Sequence, residues 1–223
     1  MKYLKLLHKL DQDEVVKEES NRNYYRYYFG EEKWNPTTIM AEYFWPDSNK
    51  CDEYMEISEA EALALIDEQR ERYDHLLELA IDTAKKAFKR KKDKNGIQYI
   101  EHYRAVAETL THTEYKIVAY LYGVCENTSV SLDKLNDLGF TYRIVNSVRI
   151  LTQMDILTYE QYLNRLRYDY AGRAVKIADL KYITNTMRIL GSTKKDDARL
   201  RNLEKSIAFL ESSEIMKPDF KIE

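Results

Sequence analysis

Two cysteines, three prolines and six glycines are all that this chain of 223 residues holds of the residue types that cross-link or interrupt a backbone. Cys51 and Cys125 stand far apart in unlike contexts, which excludes a disulfide framework and a cysteine metal motif and fits a reducing compartment. The few prolines and glycines build no repeat and no low-complexity tract. A charge of one sign is also missing: 35 Lys and Arg against 38 Asp and Glu give −3, so nothing global favours nucleic acid or an anionic membrane as partner. No stretch approaches the roughly 20 apolar residues of a membrane span, and Met1–His8 lacks the apolar run and cleavage site of a signal peptide. The expectation is a soluble, cytoplasmic protein with no membrane partner.

What is present changes character near residue 58. Residues 1–58 are rich in Tyr, Trp and Phe, as in Tyr24-Tyr-Arg-Tyr-Tyr-Phe29 and Tyr43-Phe-Trp45, broken by turn signals at Gly30, Asn35-Pro36 and Pro46-Asp47. Aromatic runs between such breakers predict short antiparallel strands. Lys2 to Val16 reads equally as a strand pair or a short helix. Such an aromatic segment either packs its own sheet or meets a protein partner.

From Ser58 the pattern is helical. Ser58 with Glu61 makes a capping box ahead of Leu63, Leu65 and Ile66, and Leu77, Ala80, Ala84 and Phe88 recur at helical spacing up to the Asp93-Lys-Asn-Gly96 stop. Tyr99–Leu110 predicts a further helix. Thr113, Ser131 and Thr141 are predicted N-caps of three more, and Thr158 with Gln161 forms a second capping box. Residues 173–190 and 195–212 predict two last helices. The fold class is therefore mainly α: a helical domain over 59–223 behind a small, aromatic, β-rich piece over 1–58.

Two segments together carry a resemblance. Asp93-Lys-Asn-Gly-Ile-Gln-Tyr-Ile-Glu-His102 is similar to the loop-helix entry of HD-domain phosphohydrolases related to the RelA/SpoT-type alarmone (guanosine tetraphosphate) hydrolases, and Val175-Lys-Ile-Ala-Asp-Leu180 is similar to a later helix of that family. Leu151-Thr152 and Tyr159-Glu-Gln-Tyr162 match the connection between them, so the resemblance covers about residues 70–212. It implies an HD-like helical bundle.

In that family a divalent metal, usually manganese, lowers the pKa of a bound water and polarises a phosphate. Carried over residue by residue, His102 and Asp179 match the outer two metal ligands, whereas the central His-Asp pair falls on Tyr122 and Gly123. Tyr is a poor manganese ligand and Gly offers no side chain. The carboxylate pair that would assist proton transfer falls on Glu126 and Asn127, of which Asn127 cannot take a proton. Ile183 stands where the family keeps an Asn, and Gln98 and Tyr103 replace prolines. The resemblance thus implies a catalytically degenerate relative with no resident cofactor, or at most weak Mn²⁺ on His102 and Asp179. Lys94, Tyr99, Arg173, Lys176, Tyr159 and Tyr162 are the residues expected to meet a phosphorylated nucleotide.

Each of these residues also has a plainer reading. His102 is equally a hydrogen-bonded packing residue, and Asp179, on an apolar helix, needs a partner such as Lys176, Arg173 or His102. Glu126 and Asn127 suit a helix end, and Tyr122 suits a plug bonded to Asp179 through its hydroxyl. The basic run Lys85–Lys94 suits either an anionic ligand or a solvated helix terminus. Three roles stay open: a binding protein with a dead site, an active phosphohydrolase with Glu126 as its base, and a regulatory protein-interaction module.

Overall fold

A computed structural model of the chain describes residues 1–28, 33–93, 96–152, 157–189 and 194–212. Two compact units emerge among them, one covering Met1–His75 and one beginning at Leu76.

In the first unit β1 (Lys2–Leu6), β2 (Val15–Glu18), β3 (Tyr24–Tyr28), β4 (Lys33–Pro36) and β5 (Tyr54–Ile57) form one antiparallel sheet in the order β4-β3-β2-β1-β5. The period-2 alternation of a strand sends neighbouring side chains to opposite faces. Leu4, Leu6 and Val16 meet Met40 and Tyr43 of α1 (Met40–Phe44) on one face. Tyr3 and Val15 meet Ala62 and Ile66 of α2 (Glu59–Phe88) on the other. A sheet covered on both faces accounts for the density of aromatics: Tyr27 and Trp34 pack edge to face at 5.4 Å, and Phe44 does the same with Tyr54 at 5.5 Å.

The ambiguous Lys2–Val16 segment is a strand pair. Tyr43 and Phe44, expected in a strand, lie instead in the short helix α1. Helical spacing places Met40 and Tyr43, three apart, on the same buried face, and the Tyr43 hydroxyl donates to Asp11 at 3.0 Å. A strand over 40–45 would have split that pair between two faces. The Asp11 carboxylate also takes the Lys50 ammonium at 2.8 Å, so a buried charge is compensated.

The second unit holds the rest of α2 and α3 (Tyr99–Glu108), α4 (Thr113–Asn127), α5 (Leu132–Asp137), α6 (Tyr142–Thr152), α7 (Tyr159–Leu166), α8 (Tyr170–Ile189) and α9 (Lys194–Ser212). Helix α4 is its axis. Every residue from Ile117 to Val124 is buried, because α3, α6 and α8 pack around it and leave it no solvent face. Both capping boxes form: Ser58 Oγ accepts from Glu61 N at 3.2 Å while Ser58 N donates to the Glu61 carboxylate at 2.8 Å, and Thr158 with Gln161 does the same. Ser131 caps α5, and Thr141 Oγ1 accepts from Ile144 N ahead of α6. Thr113 does not cap α4. The extended residue before that helix is His112, and Thr113 is already helical. No helix among the described residues is long and apolar enough to cross a membrane.

The near-neutral total charge conceals a division. Residues 1–75 carry 10 Lys and Arg against 18 Asp and Glu, whereas residues 76–223 carry 25 against 20. The first unit is therefore strongly acidic and the remainder basic.

Candidate functional site

Helices α3, α4 and α8 converge on Asp179. Asp179 follows Lys176 by three residues and precedes Tyr182 by three, so helical spacing puts all three on one face of α8. From α3, His102 Nε2 lies 2.9 Å from Asp179 Oδ1 across 77 residues of sequence. Lys176 Nζ donates to the other oxygen, Oδ2, at 3.2 Å. The two outer residues singled out from sequence thus meet, and of the three proposed partners of Asp179, Lys176 and His102 engage it.

Electrostatics follow from that arrangement. The Asp179 side chain is 5% exposed and that of Lys176 14%. Burial alone would raise the Asp179 pKa, but the His102 hydrogen bond and the Lys176 charge outweigh it and hold the carboxyl below its ordinary range. Burial would likewise lower Lys176, and the Asp179 charge reverses this, holding the ammonium well above its usual value. The pair is ionised and mutually compensated.

From α4, Tyr122 is 3% exposed and its phenol pKa is raised well above normal, by burial first and then by the Asp179 charge. The Tyr122 ring is thus buried within the field of the Asp179 charge. The next residue, Gly123, lies against Tyr103. A Cβ built on Gly123 would fall 2.2 Å from Tyr103 Cε1, far inside van der Waals contact. The Tyr103 ring is stacked on Phe88 of α2 (5.3 Å, 8°), stands edge to face with Tyr122 at 5.4 Å, and its hydroxyl accepts from Asn127 Nδ2 at 2.7 Å. The ring of α3 thus occupies the space that any side chain at 123 would need.

The remaining candidates divide. Glu126 is solvent-accessible at the end of α4, and crowding around its carboxyl raises its pKa, with Lys176 drawing it back and Asp179 raising it further. Asn127 is committed to Tyr103 and to the Gly123 carbonyl at 3.1 Å. Tyr162 is 1% exposed, donates to the Leu151 carbonyl and has its phenol pushed up to about 12 by burial, so it packs inside the bundle. Tyr159 is 44% exposed and bonds Ser206 of α9 at 3.1 Å, and Arg173 lies over the Tyr170 ring at 5.7 Å. Tyr99 sits half-buried with its ring 6.1 Å from Phe88. Lys94 lies outside the described residues. Tyr182, whose ring meets His102 edge to face at 4.8 Å, was not singled out from sequence. Neither was the role of Tyr103, although a large ring at 103 and the absence of any side chain at 123 are complementary in size.

These residues do not fit a manganese ion. Both Asp179 oxygens are engaged, the partner on one of them is itself a cation, position 123 has no donor, and a tyrosine is a poor ligand for manganese. Among the described residues no cluster of three or more His, Cys, Asp or Glu is placed to hold a metal. What the arrangement does chemically is tie α3 to α8 through a buried, ionised carboxylate. No protein-family model matches the chain, and no curated protein matches it significantly.

Proposed function

We propose that this chain is an HD-like protein that binds a ligand without hydrolysing it, its inherited metal site converted into an internal ion pair. The observation that carries the reading is the Asp179 carboxylate, held on one oxygen by His102 and on the other by the Lys176 ammonium. A lysine in that position supplies by itself the positive charge a metal would bring, but it can neither acidify a water nor leave an open coordination position. The Tyr103 ring against Gly123 supports the same reading, because it removes the room for a second carboxylate. Binding is then what selection can maintain. A phosphorylated nucleotide is the ligand the sequence resemblance implies, and a protein partner at the aromatic first unit, where Phe44 and Trp45 are 45% and 62% exposed, is the other.

The decisive measurement is release of phosphate or pyrophosphate from guanosine polyphosphates by the purified full chain with and without manganese. The expected rate equals that of buffer and that of His102→Ala and Asp179→Asn. A manganese-dependent rate that both substitutions abolish would instead establish a phosphohydrolase with Glu126 as its base.

A further inference from the structure

Away from Asp179, helices α7 and α9 leave a groove of about 960 Å³ between them. Its volume lies at the upper end of the range of small-molecule sites, on the order of 300–1,000 Å³. Its walls combine two kinds of chemistry. Tyr159 and Phe209 bring aromatic rings and Leu163 an apolar floor, while Arg199, Lys205 and Asn202 bring polar groups from successive turns of α9. Spacing of three and four residues puts 199, 202, 205 and 209 along one face of that helix, and Leu200 and Leu210 are buried where α9 packs on α8.

The groove is built rather than incidental at one point: the Tyr159 hydroxyl bonds the buried Ser206 at 3.1 Å, which fixes the tyrosine across the gap. The Arg167 guanidinium lies over the Tyr168 ring at 4.8 Å and 5.9 Å from the Phe209 ring, which holds a cation close by. Arg199 and Lys205 are exposed, and neither has an acidic partner among the described residues. Glu160 is the one carboxylate in the lining. Two unpaired cations beside two aromatic rings are complementary to a flat ring system that carries negative charge: the rings favour stacking, and a guanidinium favours a phosphate or carboxylate through paired N–H donors.

We infer that the α7–α9 groove binds a planar aromatic compound bearing phosphate or carboxylate charge. The site shares none of His102, Lys176 or Asp179, so it stands whether or not the Asp179 cluster is catalytic, and its failure would leave the reading of that cluster untouched.

Isothermal titration calorimetry of the full chain with AMP and with flavin mononucleotide tests it, with adenosine and riboflavin as their uncharged counterparts. At least one phosphorylated probe should bind, its uncharged counterpart about tenfold more weakly or worse. The Arg199→Ala/Lys205→Ala double variant should lose a similar factor at unchanged melting temperature, and Phe209→Leu should weaken both the charged and the uncharged compound. Binding of neither phosphorylated probe, equal affinity for the charged and uncharged forms, or an affinity that the Arg199/Lys205 variant leaves intact would each overturn the assignment.

Discussion

At the scale of single residues, Gly123 and Tyr103 define one another. The glycine is helical and needs no special backbone freedom; what it supplies is the absence of a Cβ, because the Tyr103 ring lies 2.2 Å from where that atom would be. The ring cannot retreat, being stacked on Phe88 and hydrogen-bonded by Asn127. Gly123→Ala should therefore lose about 3 kcal/mol of stability by overpacking, even though alanine is the better helix former. In a Tyr103→Leu background the same change should cost far less, with a coupling of about 1 kcal/mol or more in a double-mutant cycle measured by urea unfolding. Additive losses would mean that the two side chains do not compete for the same space. In the sequence Tyr103 and Gly123 read as separate departures from the pattern of the family that the chain resembles. What the sequence could not give is their contact, which depends on how α3 and α4 cross.

At the scale of elements, α3 and α8 are joined by one ionised carboxylate. Asp179→Asn leaves the Lys176 ammonium buried without its counter-charge and should cost about 3 kcal/mol, which Lys176→Met in the same chain should largely restore. The sign of the pH dependence follows from the depressed folded-state pKa of Asp179. The unfolded chain takes up the proton first, so the contribution is complete above the ordinary aspartate pKa of 3.8 and fades as pH falls through the lower folded value. Acid unfolding of the wild type should thus show a loss below about pH 4 that the double variant lacks. Helix positions were legible because caps and periodicity are local: Ser58 with Glu61 and Thr158 with Gln161 close as their spacing predicts. Tyr43 was not, because its place is set by Asp11, 32 residues away. Thr113 failed as a cap because His112 already supplies the extended residue that starts α4. At the site, the meeting of His102 with Asp179 was foreseeable from motif order, whereas the commitment of Tyr162 to the core was not, since burial depends on all the helices that pack around α7.

At the scale of the whole molecule, the opposite charges of the two units matter more than the total. A net charge of −3 gives little mutual repulsion, while an excess of eight negative charges in residues 1–75 and five positive charges in the rest offers complementary fields to a second copy. Light scattering should show attraction between molecules at low ionic strength that vanishes near 0.3 M salt, where the screening length falls to about 6 Å. The interlock of α3 and α4 also bears on the molecule's history. A side chain at 123 and the ring at 103 exclude each other, so the two positions can change only together or through a destabilised intermediate. A lineage that carries the pair is held in it by a ratchet: any route that brings a side chain to 123 has to cross a fold it cannot keep stable on the way.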